Sequence, residues 1–516
     1  MKYCLKLLCA TLLLLALSFS SLVGCFGEIV DIGAEDESKR AEVTDAPTEE
    51  QTEQQTEKKT EQPTEKLPDP EPVVEDRLYL LDGKSDVEKA LYLWDLQRKD
   101  ILSVDSYTMY TEADIKGSYQ GIPISAKMSG KTTAVGIISK SKPFFRDYTH
   151  MDMELNNGQY TQSVNTAEGY ANGKLYFYEE SAGIKNGVAA PCDYEEWLEY
   201  RNELSDYSSP ELLEDSCENI IVVQNEEQVT LYLSEFSEDG LARIMSGFES
   251  FTEFIGAPCI DVEVQIVYRK DLLPVETSVE FVFEAMPNLP KFSMRATLED
   301  IGKTKATTVS FGGYVAMNNL LEMKKLELKL DKMKNASHGS FTYNYTESLG
   351  YDAGDMLRED AGELSVEYWN AEDGYRFTIK DALSGYSTEY SGGILSVTAS
   401  GGGVTTQEYT DAQAKAIIDG YIDPSDLSWE RALHVTKNGN LIQIGLDNVN
   451  LNTFAVYLNQ FGPIELDLRK NTGYLWHDQR NNNSFSATYY ANIVVYDEGE
   501  FYDLEHKAFI DNVVYE

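Results

Sequence analysis

The sequence predicts an α+β protein whose folded body is built twice over, behind a long tether with no fold of its own. Three observations predict it. Composition changes sharply near residue 76, from Thr, Glu, Gln and Pro to a chain rich in Tyr, Val, Ile and Phe. Beyond that point apolar and polar residues alternate over many short stretches, the period of antiparallel sheet with one buried face. A series of local landmarks then recurs in the same order in the second half. About 440 residues follow the tether, more than one core of ordinary size holds.

The chain opens with Lys2 and Lys6, an apolar run from Leu7 to Phe19, and Leu22-Val23-Gly24-Cys25. A basic start, a short apolar stretch and a small residue before the cut make a secretory signal, too short for the ~20 residues of a membrane span. Residues 1–24 are thus expected to be removed. With Leu22, Val23 and Gly24 leading to a cysteine, the segment resembles the lipobox of bacterial lipoproteins. That resemblance implies a diacylglycerol on the Cys25 thiol, and so a membrane-anchored, extracytoplasmic, cell-surface protein. Residues 25–76 are the tether, in which Thr-Glu recurs every four residues from Thr48 to Glu65. It has too little apolar surface to offset its conformational entropy, and Pro47, Pro63, Pro68, Pro70 and Pro72 break any helix. As a flexible coil of about 50 residues it reaches on the order of 40 Å.

The first unit, 77–308, starts at the capping box Ser85-Asp86-Val87-Glu88, followed by Leu91, Trp94, Ile101 and Leu102 in rough helical period. Ser106-Tyr107-Thr108 opens its first strand. Phe145-Arg146 starts another, and Asn172-Gly173 supplies the positive φ angles of a hairpin. A helical stretch ends at Tyr207 to Leu212, and a hairpin follows from Asn219 to Leu233. Leu241, Ile244, Met245 and Phe248 mark a helix. Val262, Val264, Ile266 and Tyr268 form a closing strand, with Val275, Val279, Phe281 and Phe283 on its return. The second unit, 309–516, repeats the series. Ser340-Phe341-Thr342, Tyr375-Arg376, Gly392-Gly393 and Tyr421 to Asp426 recur in order, with a hairpin turning at Asn438-Gly439. Phe454, Val456, Tyr457 and Phe461 mark its helix. Ile464, Leu466 and Leu468, then Phe485 to Tyr490 and Ile493 to Tyr496, mark its closing strands. Its opening, Val315 to Lys334, reads as only weakly helical.

An N-terminal helix leading into Ser-aromatic-Thr, a Tyr-x-x-Gly-x-x-Tyr hairpin at Tyr170 to Tyr176, a helical cover and a long final hairpin resemble the LolA and LppX/LprG-like lipoprotein fold. The resemblance implies two tandem, strongly curved antiparallel sheets, each an unclosed half-barrel with helices on its concave side. It further implies that the concave face carries acyl chains or other lipid. Met109, Met128, Met151, Met153, Tyr176 and Tyr178 lie on strand-like segments and could line such a cavity, or be ordinary core. The expected activity is non-catalytic binding or carriage of an apolar or amphiphilic ligand, a lipid or cell-envelope component. The alternatives are a structural or sensory surface protein with no ligand cavity and, third, an envelope hydrolase.

Charge and motifs narrow the function further. The whole chain carries −44, and the body beyond Arg77 holds 35 basic against 70 acidic residues. Nucleic acid is a poor partner for that surface, and anionic headgroups are repelled by it, so Cys25 is the expected membrane attachment. Beyond the signal and Cys25 the cysteines are Cys192, Cys217 and Cys259. Cys192 and Cys217 flank a helical-looking segment and could be bridged; three buried, inert thiols fit equally. The five histidines are scattered without metal-ligand spacing, so neither metal nor cofactor is expected. No Gly-x-Ser-x-Gly, no Ser-x-x-Lys paired with Lys-Thr-Gly, no P-loop and no dinucleotide fingerprint occurs, and no catalytic residue is assigned. Gly401-Gly402-Gly403 reads as a wide turn.

Overall fold

A computed structural model describes residues 75–100, 104–119, 122–155, 158–208, 212–245, 259–283, 290–351, 356–371, 374–422, 427, 429, 431–447, 466–478, 484–495 and 500–515. The lipobox Leu22 to Cys25, the tether through residue 74, Ile101, Leu102, Phe248, Phe454 to Ile464, and Tyr496 lie outside the described residues.

Local signals act where the sequence places them. The Ser85 N–H donates to Glu88 Oε2 at 2.8 Å while the Glu88 N–H donates to Ser85 Oγ at 3.2 Å, which caps helix α1 (Asp86–Asp100). Then come β1 (Ser106–Tyr119), β2 (Ile122–Val135), β3 (Phe144–Leu155), β4 (Tyr160–Ala171), β5 (Lys174–Ser181) and β6 (Ile184–Pro191). Helix α2 (Tyr194–Ser208) leads to β7 (Cys217–Gln224) and β8 (Gln228–Phe236). Helix α3 (Glu238–Met245) is followed by β9 (Cys259–Arg269), β10 (Pro274–Phe283) and β11 (Lys291–Glu299). These strands and the short β12 (Val315–Ala316) form a 12-stranded unclosed sheet in the order β12-β6-β5-β4-β3-β2-β1-β11-β10-β9-β8-β7.

The second half repeats this plan. Helix α4 (Leu320–Lys334) precedes β13 (His338–Tyr351), β14 (Met356–Ala371), β15 (Gly374–Asp381), β16 (Ser387–Ser391), β17 (Ile394–Thr398) and β18 (Val404–Glu408). Helix α5 (Asp411–Ile422) leads to β19 (Ala432–Asn438), β20 (Leu441–Asp447), β21 (Leu466–Asp478), β22 (Ser484–Val495) and β23 (Glu500–Tyr515). They form an 11-stranded sheet in the order β18-β17-β16-β15-β14-β13-β23-β22-β21-β20-β19. In each sheet the first strand sits in the middle, and a late strand, β11 or β23, returns to pair with it, while β12 adds to the edge of the first sheet beside β6. The two hairpins expected to match do so in detail. Asn172 and Gly173 join β4 to β5, Gly392 and Gly393 join β16 to β17, and all four residues have positive φ, as a two-residue hairpin requires.

The structure differs from the sequence expectations in three places. Each sheet closes with three strands rather than a hairpin, because β11 and β23 complete the ladder on β1 and β13. Phe485 to Tyr490 and Ile493 to Val495 belong to one strand, β22. The weakly helical stretch contains a regular helix, α4, in which Leu320, Leu321, Met323, Leu326, Leu328, Leu330 and Met333 are all buried. Those residues cover more than one stripe, because α4 lies between the two sheets. It reaches α2 through Lys332–Glu203 (2.9 Å), α5 through Lys334–Asp419 (3.5 Å) and β19 through Lys437–Glu322. One continuous apolar core therefore runs along the inner face of the first sheet, across α4 and onto the inner face of the second.

Candidate functional site

Strand alternation divides the sequence-predicted cavity residues. Met109, Met128, Met151 and Met153 point into the continuous core and are at most 6% exposed, so they are packed side chains. Tyr176 and Tyr178 point the other way, because their neighbours Leu175 and Phe177 take the inward positions of β5. Tyr176 joins Phe144, Ala167, Ala171 and Ala189 in a separate cluster on the outer face, covered by Phe311 and Tyr314 of the segment leading to β12. The six residues therefore do not share a cavity. Cys192, Cys217 and Cys259 are free thiols, and the Cys192–Cys217 bridge is not formed. The Cys217 thiol donates across the β7–β8 hairpin to the Ser234 carbonyl (2.8 Å), whereas the Cys192 thiol turns to the Asp193 carbonyl (3.4 Å).

The open concavity lies on the outer face of the first sheet. The strands β2, β1, β11, β10, β9, β8 and β7 curl so that their outward side chains wall a groove of about 860 Å³. Cross-strand register orders those side chains into two ranks. One runs Ser129, Glu112, Arg295, Ser278, Gln265, Tyr232, Ile221. The other includes Lys127, Asp114, Ser293, Glu280 and Glu263 in register, with Ser234 opposite Asn219 at the far end. With strands ~4.8 Å apart and ranks two residues apart, seven strands set out a polar strip ~30 Å along its arc and ~7 Å between ranks. The alternate residues Ala113, Met128, Leu233, Val264, Val279 and Met294 face the core beneath and anchor the floor.

The groove is chemically graded. At one end Tyr232 and Ile221 are 39% and 46% exposed, an apolar and aromatic patch beside the amide of Asn219. At the other end charges compensate one another: Arg295 holds Glu276 at 3.0 Å and Lys291 holds Asp114 at 3.6 Å. The Glu276 carboxylate holds the Arg295 guanidinium above its usual range. Between the two ends stand Glu263 and Glu280, direct partners across the β9–β10 ladder.

The first rank continues past the groove over β3 to β6 as His150, Asn165, Glu180 and Lys185. Serine, histidine and carboxylate meet here, in an order unsuited to nucleophilic catalysis. Ser163 Oγ donates to Asp152 (2.5 Å), and His150 Nε2 meets the other oxygen of Asp152 (3.2 Å), so no imidazole lies on the serine hydroxyl. In the second sheet, Tyr343, His506 and Glu347 form a hydrogen-bonded series on the inner face, each under 9% exposed. Burial pushes the Tyr343 phenol well above its ordinary range, which keeps it a protonated donor rather than a nucleophile. Among the described residues no group of three or more His, Cys, Asp or Glu could hold a metal ion.

The sequence reading missed the groove. Its residues are the outward half of ordinary alternating strands, and only the register of β1 against β11 brings the two halves of the ranks together.

No family model matches the chain, and no curated protein matches it. Solved structures with some likeness include a protein of unknown function from the DUF3598 family of Nostoc punctiforme (8% identity, 83% of this chain and 99% of that one, TM-score 0.13). Others are a candidate AttH from Nitrosomonas europaea (6%, 78% and 92%, TM-score 0.11) and the beta domain of the Bordetella autotransporter BrkA (8%, 79% and 99%, TM-score 0.10). At these scores the likenesses carry no argument about fold or function.

Proposed function

We propose that the chain is a lipid-anchored extracytoplasmic protein that binds a polar cell-envelope ligand, without chemistry, in the outer groove of its first sheet. Anchoring rests on the signal and lipobox ending at Cys25. The proposed architecture is a tandem of LolA/LppX-like units, 77–308 and 309–516. It is supported by the matching strand orders, the paired hairpin turns at Asn172-Gly173 and Gly392-Gly393, and a helix ahead of each sheet. The observation that carries the binding reading is the groove of about 860 Å³, within the size range of small-molecule sites, lined by Ser, Asn, Gln, Tyr and carboxylates. Carriage of an apolar or amphiphilic ligand on the inner face is the competing proposal. It draws on the family resemblance and finds Met109, Met128, Met151 and Met153 already packed.

The test compares full-length protein in detergent with a Ser278→Trp variant, which fills the middle of the groove, for binding to soluble cell-wall glycan and peptide fragments. Wild type is expected to bind and the variant to fail. Equal binding by Ser278→Trp sinks the groove as the site. Co-purification of a stoichiometric acyl lipid, without affinity for wall fragments, favours carriage instead. Replacing Cys25 with Ala should leave the protein unprocessed or shed it to the medium. A mature, membrane-bound Cys25→Ala protein would overturn the anchor.

A further inference from the structure

We infer that the groove recognises a cationic ligand, a peptide bearing a lysine-type side chain whose ammonium seats between Glu263 and Glu280. The inference rests on the groove being a binding site. Glu263 and Glu280 are direct cross-strand partners, both exposed, and neither forms an ion pair among the described residues. Like charges directly opposite one another on a sheet are unfavourable. Two acidic side chains on an open surface would be merely solvated. These two stand in the second rank of a walled groove, in which Lys127, the third nearby cation, lies three strands from Glu280, ~14 Å away along the rank. Arg295 is engaged by Glu276, and Lys291, next to the groove, by Asp114. A guest ammonium relieves the repulsion and completes the charge pattern.

The neighbours select more than charge. Tyr232 lies one strand from Glu263 and in the adjacent rank, a diagonal relation that places side chains ~7–8 Å apart. Its ring is positioned to cover the aliphatic stem of a lysine-type side chain, with Ile221 beyond it. Gln265, Ser278 and Ser293 surround the glutamates and can each bond to a peptide backbone passing over them. An anionic polymer is repelled by the same groove. The body's charge of −35 also steers cations toward the molecule and anions away from it.

The experiment uses full-length protein in detergent and two end-capped peptides, alike except that one carries lysine and the other Nε-acetyl-lysine. The lysine peptide is expected to bind about tenfold more tightly, and to lose that advantage in about 0.5 M salt, where the Debye length is only a few Å. The double variant Glu263→Gln, Glu280→Gln should bind both peptides alike. The two positions are exposed, so its far-UV circular dichroism should match wild type. Equal affinity for the two peptides, failure of the lysine peptide to bind, or undiminished preference in the double variant each overturns the inference. If Ser278→Trp still abolishes binding of a neutral wall glycan in any of these cases, the groove stands and only the ligand class is wrong. If Ser278→Trp changes nothing, the groove itself fails.

Discussion

His506 on β23 holds Tyr343 on β13 through its Nε2, 2.9 Å from the phenol oxygen, while its Nδ1 lies 2.8 Å from Glu347. The carboxylate accepts a hydrogen bond from Nδ1–H, which leaves Nε2 to accept from the phenol. Tyr345 stacks on the imidazole at 10° and Tyr421 meets Tyr343 edge-on at 4.8 Å, so the series is enclosed by rings. It joins the first and last strands of the second sheet, where the ladder closes. His506→Phe keeps the ring and removes both hydrogen bonds. The expected cost is ~1–3 kcal/mol, more if a charge is left behind. The double variant Glu347→Leu, His506→Phe should recover much of it, since both polar partners go together. Urea unfolding of the two single variants and the double reads the coupling. Effects that add within ~0.5 kcal/mol would show that the three groups do not act as a unit.

Helix α4 offers a test of how the two sheets share stability. Leu326 is 2% exposed in the core that runs between them, and Leu326→Ala should cost ~2–5 kcal/mol through lost burial and the cavity left behind. If α4 braces both sheets, amide hydrogen exchange should accelerate in β5–β6 and in β19–β20 alike. Acceleration confined to one pair of strands would assign the helix to that sheet alone. The ion pairs of Lys332 and Lys334 at its end are partly exposed, so their loss should shift stability by ~1 kcal/mol or less.

The same helix shows what could be read from the sequence and what could not. Features set by neighbouring residues were legible: the Ser85–Glu88 cap, the Asn172-Gly173 and Gly392-Gly393 turns, and the alternation of Val262, Val264, Ile266 and Tyr268, all at most 5% exposed. The wide turn at Gly401 to Gly403 also forms, closed by Ala399 N–H to the Gly403 carbonyl. A cap at Thr410–Gln413, of the same type as the first, carries the signature equally and went unread. α4 was obscure because apolar residues facing two sheets blur the single stripe by which a helix is recognised. The closing strands β11 and β23 were obscure because their partners lie far back in the chain, from 151 residues for Tyr351↔Tyr502 to 191 for Thr108↔Glu299. Tyr176 was misassigned by one step of parity, and a one-residue error in a strand reverses the face. The groove left no mark, since Ser, Gln and Glu at outward positions look alike whether they meet solvent or wall a concavity.

The free cysteines make a direct chemical prediction. Burial pushes the Cys192 thiol up to about 12 and Cys259 to about 11, and it raises Cys217 as well. The thiolate is the reactive form, so alkylation of the native protein near neutral pH should be slow at all three positions. Unfolding without reductant should expose all three at once, read by peptide mass mapping. If Cys192 and Cys217 alkylate only after reduction, they are bridged in the mature protein.

His150 gives the outer face a pH dependence whose sign follows from its partners. Asn165 Oδ1 accepts from His150 Nδ1 at 2.8 Å, and Asp152 Oδ2 faces Nε2 at 3.2 Å, so both ring nitrogens point at acceptors. The doubly protonated ring suits that setting. The bond to Asn165, with help from Asp152, holds the histidine above its ordinary 6.5 in spite of partial burial. Asp152 is held below its usual range, chiefly by the Ser163 hydroxyl and then by His150. A histidine raised in the folded state contributes stability that is complete below its unfolded value and is lost as pH rises through the folded one. An aspartate lowered in the folded state contributes above its unfolded value and loses that contribution as pH falls through the folded one. The pair therefore contributes most between the lowered aspartate and the raised histidine, and fades as pH rises through the raised histidine. Asn165→Ala should bring His150 back toward 6.5, followed by the imidazole proton shifts in an NMR titration. His150→Gln should flatten the corresponding slope of unfolding free energy against pH. A wild-type His150 that titrates at or below 6.5 would show that Asn165 does not favour the charged ring.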